Sequence, residues 1–143
     1  KEKAQREAAT SKTKSAIQAT QKALSNAKGA LNNITDLESA KAALKSEINP
    51  VVERAKALAN SEILSATEKK SIQSNIAQIR GLSNRIGGAL ASPYSYATAN
   101  GISSEQAFRT HLNGLVRQQL SAAGRIIKTA GTGVTRYISG KSR

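Results

Sequence analysis

Apolar residues recur along most of this chain at steps of three and four, the spacing that gathers them on one face of an α-helix. Between Glu2 and Asn32, Ile17, Leu24 and Leu31 stand at heptad spacing, with Thr20, Ala27 and Ile34 at the intervening seam positions. A repeat of about 3.5 residues predicts a helix packed lengthwise along a partner helix, so these residues are read as an assembly seam. The first half of the segment, "KEKAQREAATSKTK", offers only Ala to any core. It is expected to be exposed, frayed or docked onto another body.

A second helix is predicted to open at "TDLE", where Thr35 is an N-cap and Glu38 stands three residues on, the arrangement of a capping box. Leu37, Ala40, Leu44, Ile48, Val51, Ala55 and Leu58 then form one face, interrupted by Pro50. Proline has no N–H to give and crowds the preceding turn, so a kink or break is expected near Asn49. A third helix opens at "SATE", with Ser65 and Glu68 repeating the capping box, and carries Ile72, Ile76, Ile79, Leu82, Ile86 and Leu90. A loop, "ASPYSYATANG", follows. The fourth helix opens at "SSEQ", with Ser103 as cap, and its stripe is Phe108, Leu112, Leu115, Ala122 or Ala123, Ile126 and Ala130. Gly131 and Gly133 are read as its end.

The pattern gives an all-α fold: an elongated bundle of three to four amphipathic helices with coiled-coil-like seams. The long N-terminal helix is assigned to 1–34, a helical hairpin to 35–91, the loop to 92–103, a basic helix to 104–131 and a flexible basic tail to 132–143. Composition sharpens this picture. There is one Phe, three Tyr, no Trp and no Met. The core is therefore built of Leu, Ile and Ala, which suits narrow helix–helix seams. No Cys is present, which removes disulfides and thiolate metal sites. A start at Lys1 without Met reads as a processed or excised piece, and "KEKAQREAAT" lacks the apolar segment of a signal peptide. No apolar run approaches the ~20 residues that span a bilayer.

Charge changes the functional reading. The net charge is +13. Residues 1–28 carry seven cations and two acids, residues 29–100 eight and six, and residues 101–143 seven and one, Glu105. Both ends are basic and the middle is nearly balanced, a distribution that favours a polyanionic partner. At about 100° per residue, with Arg117 at zero, Lys128 lies at about 20°, Arg125 at about 80° and Arg109 at about −80°, while Phe108 and Ile126 lie at about 180°. Arg136, Lys141 and Arg143 extend this charge into the expected tail, and no acid lies between Phe108 and Arg143.

Other chemistry finds little support. The sole histidine, His111, cannot make a zinc site without Cys or clustered carboxylates, and reads as an edge-of-core side chain. Glu47 with Glu53, or Glu62 with Glu68, would be a candidate acid/base pair, but each lies among Lys and Arg at helical spacing, the pattern of surface ion pairs. "GTGVTRYISGK" ends like a phosphate-binding loop, yet Thr135 stands where the first Gly is required and no strand precedes it. No enzyme, cofactor or metal is therefore expected. Sequence-specific DNA reading lacks a recognition helix, and single-strand binding lacks stacking aromatics. Contact with phosphates needs only Lys and Arg.

"LESAKAALKSEI" and "LSATEKKSIQSNI" share a Leu, a capping region and similar apolar offsets. Over less than a third of the chain they resemble the FIVAR modules, short helical repeats of Gram-positive surface proteins. The resemblance implies a secreted or surface helical-bundle adhesion module, kept as the alternative. The preferred reading is a non-enzymatic structural protein, assembling through Ile17, Leu24 and Leu31 as homo-oligomer or hetero-assembly, and contacting nucleic acid without sequence preference. Its expected phosphate contacts are Arg109, Arg117, Arg125, Lys128, Arg136, Lys141 and Arg143. A phage virion-internal or DNA-delivery component fits the composition, and a basic chromosome-associated protein is a further alternative.

Overall fold

The computed structural model describes residues 2–32 and 36–140, and these are all-helical, with no strand among them. Five helices pack against each other: α1 (Glu2–Leu31), α2 (Leu37–Ala59), α3 (Ala66–Ala91), the short α4 (Pro93–Ala99) and α5 (Glu105–Ile138). The long helices are neighbours in the order α1, α2, α3, α5, and α5 returns to α1, which closes the ring; α4 lies on α3. The start of α1 lies beside the end of α5, and the end of α5 beside the start of α3, so these neighbours run antiparallel. Among the described residues no helix is long and apolar enough to cross a membrane.

The first half of α1 is exposed over residues 2–8, and from Ala9 onward it packs on its own chain rather than on another body. It has no large side chain to bury, so it approaches closely through small ones. Ala9 and Ala16 pack on the core, and Thr13 is 3% exposed with its hydroxyl 2.7 Å from that of Ser61. Thr20 is fully buried and returns its hydroxyl to the Ala16 carbonyl at 2.8 Å, which satisfies the group inside its own helix.

Asp36 caps α2, its Oδ1 accepting from the Ser39 amide at 2.8 Å; the expected cap, Thr35, lies outside the described residues. A carboxylate there also sits at the positive end of the helix. Of the kink or break expected at Pro50, the break does not occur: α2 runs through it. Proline inside a helix costs about 3 kcal/mol. Ile48 and Val51 flank it, and Val52, Ala55 and Leu58 follow, all buried on the same helix. Each fully buried Val, Leu or Ile contributes roughly 1.5–3 kcal/mol, so the stripe outweighs the proline. Pro50 itself faces water, which can solvate the carbonyl it leaves unbonded.

The capping box of α3 forms as expected: the Glu68 amide donates to Ser65 Oγ at 3.1 Å, and the Ser65 amide donates to Glu68 Oε1 at 2.7 Å. The stretch read as a loop holds α4 instead, with Pro93 in its first turn. This helix stops at a left-handed Gly101 (φ 68°), where the Ile102 amide reaches back to the Ala97 carbonyl at 2.8 Å and the Gly101 amide to Thr98. That is the two-bond C-terminal closure for which glycine is the favoured residue. Ser104, not Ser103, caps α5, accepting from the Ala107 amide at 3.0 Å.

Helix α5 does not end at Gly131. It continues to Ile138 because its stripe continues: Ala130, Gly133 and Val134 are all buried. At Gly133, α5 lies close against the start of α3. A methyl there would collide with the Leu64 and Glu68 side chains. The core divides into two clusters. One spans α1, α2, the start of α3 and the C-terminal half of α5; the other gathers Leu82, Ile86, Ala89, Phe108, Leu112, Leu115 and Val116. Gln119 of α5, 1% exposed, lies between Val116 of one cluster and Ala122 of the other.

Candidate polyanion-binding surface

Helix α5 turns its cations outward. Arg109, Arg117, Arg125 and Lys128 are exposed, while Phe108, Leu112, Leu115, Ile126 and Ala130 are buried. The four are not equivalent. Arg109 reaches Glu105 one turn back at 3.3 Å. Arg125 crosses to α3, giving Nε to Asn75 Oδ1 and a terminal nitrogen to Gln78 Oε1, both at 3.0 Å. Such exposed contacts are weak and leave their charge available. Arg117 and Lys128 have no hydrogen bond or ion pair among the described residues.

Arg136 does something else. Its Nε donates to Glu68 Oε2 at 3.0 Å, and a terminal nitrogen donates to Glu68 Oε1 at 2.7 Å and to the Ile63 carbonyl at 3.2 Å. The same carboxylate completes the α3 capping box, so one acid holds both the start of α3 and the end of α5. The bidentate Arg136 contact holds the Glu68 carboxyl below its ordinary value of 4.5, assisted by Ser65 and opposed by partial burial. The pair holds the Arg136 guanidinium above its ordinary value in turn. Arg136 is thereby drawn off the surface expected to meet a polyanion. Lys141 and Arg143 lie outside the described residues.

The start of α1 and the end of α5 meet, and the described cations at their junction belong to α1. An open groove of about 690 Å³ lies between the first turns of α1 and the last turn of α5, lined by Lys3, Arg6 and Lys14 with Tyr137 and Ile138. Among the described residues Glu7 is the one acid on its walls; Glu2 and Glu62 lie in the adjoining hollow beside Arg6. At a rise of about 1.5 Å per residue, the three cations cover roughly 16 Å of helix. None of the three makes an ion pair among the described residues. The sequence reading did not single them out. The signal was there: at about 100° per residue they fall within roughly 80° of one another on α1.

Ile17, Leu24 and Leu31 do not form an exposed seam. Leu24 is 6% exposed and lies in the main core cluster, and Ile17 and Leu31 pack against it from the same chain. His111 is half-buried, with Nε2 2.7 Å from Tyr96 Oη, and Arg85 Nε donates to the same oxygen at 2.9 Å. The hydroxyl accepts from Arg85 and so can give its hydrogen to His111, while the Tyr96 ring meets Phe108 edge-on at 6.2 Å. This cluster fastens α4 to α3 and α5. Among the described residues no group of three or more His, Cys, Asp or Glu could hold a metal ion. Of the acids weighed for catalysis, Glu53 pairs with Lys56 at 2.8 Å and is held below the usual carboxylate range by it, and Glu68 pairs with Arg136.

No protein-family model, no curated protein and no solved structure matches the chain, and the two segments likened to FIVAR modules find no such match either.

Proposed function

We propose that this chain is a non-catalytic helical protein that lies against nucleic acid and holds its phosphate backbone without reading sequence. The observation that supports this reading is the groove between α1 and α5, where Lys3, Arg6 and Lys14 stand on one face with no ion-pair partner among the described residues. Charges left unpaired in a shared concave surface focus the field on an incoming anion. Arg117 and Lys128, exposed on the outer face of α5, offer a second cationic face away from the groove. Phosphate contact supplies affinity without sequence preference, because the backbone is common to all sequences.

The experiment is fluorescence anisotropy on two unrelated duplexes of equal length at low salt. Equal binding of both, weakened alike by changing Lys3, Arg6 and Lys14 together to Gln, supports the reading. Failure to bind either duplex, or binding that the triple substitution leaves intact, refutes it.

A further inference from the structure

Helices α3 and α5 hold two acids between them, Glu68 and Glu105. Both are taken: Glu68 pairs with Arg136 at 2.7 Å, and Glu105 with Arg109 at 3.3 Å. No acid of either helix is left to neutralise Arg117, Arg125 and Lys128, all three of which are exposed. Arg125 leans over α3, and its partners there, Asn75 and Gln78, are uncharged. Arg117 and Lys128 stand eleven residues apart, which returns them to within about 20° on the surface of α5 and separates them by roughly 16 Å. Lys3 and Lys14 of the groove stand eleven residues apart on α1 in the same way. The chain thus carries two cationic tracks of equal length. One strand of a duplex presents a phosphate about every 3.4 Å along its axis, so each track faces about five of them.

The two tracks face different ways. In the ring of helices, α5 has α3 on one side and α1 on the other. Arg125 reaches over the α3 side, and the groove opens on the α1 side. Neighbouring sides of a four-helix ring diverge by about a right angle. Duplex DNA stays straight over lengths up to about 150 base pairs, far more than either track covers. A segment seated in the groove therefore cannot also turn the corner onto the outer side of α5.

We propose that the chain bridges nucleic acid: one duplex segment lies in the α1–α5 groove, and a second lies against the α3–α5 side on Arg117, Arg125 and Lys128. The bridge rests on the phosphate-binding reading of the groove and adds a second site to it. Two segments tied to one chain stay at high local concentration beside each other without touching. Their mutual repulsion is offset by the chain between them, whose net charge is +13.

The test is a sandwich capture with the full chain at low salt. A short duplex is fixed to beads, an unrelated fluorescent duplex is added, and the fluorescence held on the beads is measured as the chain is titrated. The expected result is a bell-shaped curve: capture rises with the chain and falls again once every duplex carries its own copies. Changing Arg117, Arg125 and Lys128 together to Gln should reduce capture about tenfold or more, while anisotropy still shows a single duplex bound through the groove. Changing Lys3, Arg6 and Lys14 to Gln should reduce capture as well. All six are exposed and Gln is a good helix former, so both variants keep the fold. A parent chain that binds one duplex but captures no second overturns the bridge and leaves the groove standing. A chain that binds no duplex overturns both. Capture kept in full by either triple variant also overturns the bridge, because copies joined to each other would then link the duplexes through a single face.

Discussion

Replacing glycine by alanine at two positions of the same helix should have opposite effects, two residues apart. A methyl at Gly131 would find no neighbour within 4 Å. There the substitution simply removes the entropy that glycine loses in a helix, and is expected to stabilise by about 0.5–1 kcal/mol. A methyl at Gly133 gains the same, but its Cβ would fall on Leu64 and lie 2.8 Å from Glu68 Oε1. Neither neighbour can move cheaply. Leu64 is 4% exposed, and the Glu68 carboxylate is tied to the Ser65 amide and to Arg136. Overpacking of this kind costs about 1–3 kcal/mol. Set against the helical gain, Gly133→Ala should destabilise by about 1 kcal/mol. The two variants should then differ by about 2 kcal/mol, or roughly 6–10 °C in melting temperature at this chain length. Urea denaturation followed by circular dichroism reads the difference, with unchanged m-values as the check that the unfolded state is unaffected. If Gly133→Ala stabilises as much as Gly131→Ala, the close packing of α5 on the start of α3 is wrong, and the continuation of α5 beyond Gly131 falls with it.

The Glu68 carboxyl titrates below its ordinary value of 4.5 in the folded chain because Arg136 and Ser65 hold its charged form. The unfolded chain therefore takes up that proton at higher pH, so the stability contributed is full above about pH 4.5 and is lost as pH falls through the folded value. Urea midpoints measured across this range should flatten in Glu68→Gln, and an unchanged slope would show that the pair does not form. Ser104→Ala should cost about 1 kcal/mol and Ser103→Ala almost nothing, by thermal denaturation, because Ser104 is the residue that caps α5. Leu24→Asp should abolish cooperative unfolding, since it sets an unpartnered carboxylate in the main cluster; a folded, merely dissociated chain in light scattering would restore the seam between copies.

The helices with large apolar side chains at regular steps were legible in the sequence. Ile72, Ile76, Ile79, Leu82 and Ile86 fix the buried face of α3 without help, and Ser65 with Glu68 marks its start. Reading failed where the deciding contact is remote in sequence. Gly131 and Gly133 look like a helix end because glycine is weak in helices, but Gly133 is required by Leu64 and Glu68, which precede it by more than sixty residues. The pairing of Arg136 with Glu68 was hidden for the same reason. Helix α4 was missed because none of its residues is buried, so it leaves no periodic stripe. A break at Pro50 was allowed for because a local penalty was set against no tertiary term. For the candidate surface, the outward charge of α5 was legible, but the approach of α1 to its last turn was not: the shared groove needs the ring of helices to close. Gln119 reads in the sequence as one more polar residue of a basic helix, and only its burial gives it meaning.

The central claim is that phosphates meet the groove formed by α1 and α5, and the salt dependence of duplex binding tests it most directly. Each phosphate neutralised contributes about −0.9 to the slope of log affinity against log salt. The slope should be about −3 if Lys3, Arg6 and Lys14 bind alone, and about −4.5 if Arg117 and Lys128 join them. The triple change of the groove cations to Gln should reduce the slope by about three, with helicity unaltered. A slope near zero in the parent chain, or one that the triple change does not move, would contradict the account.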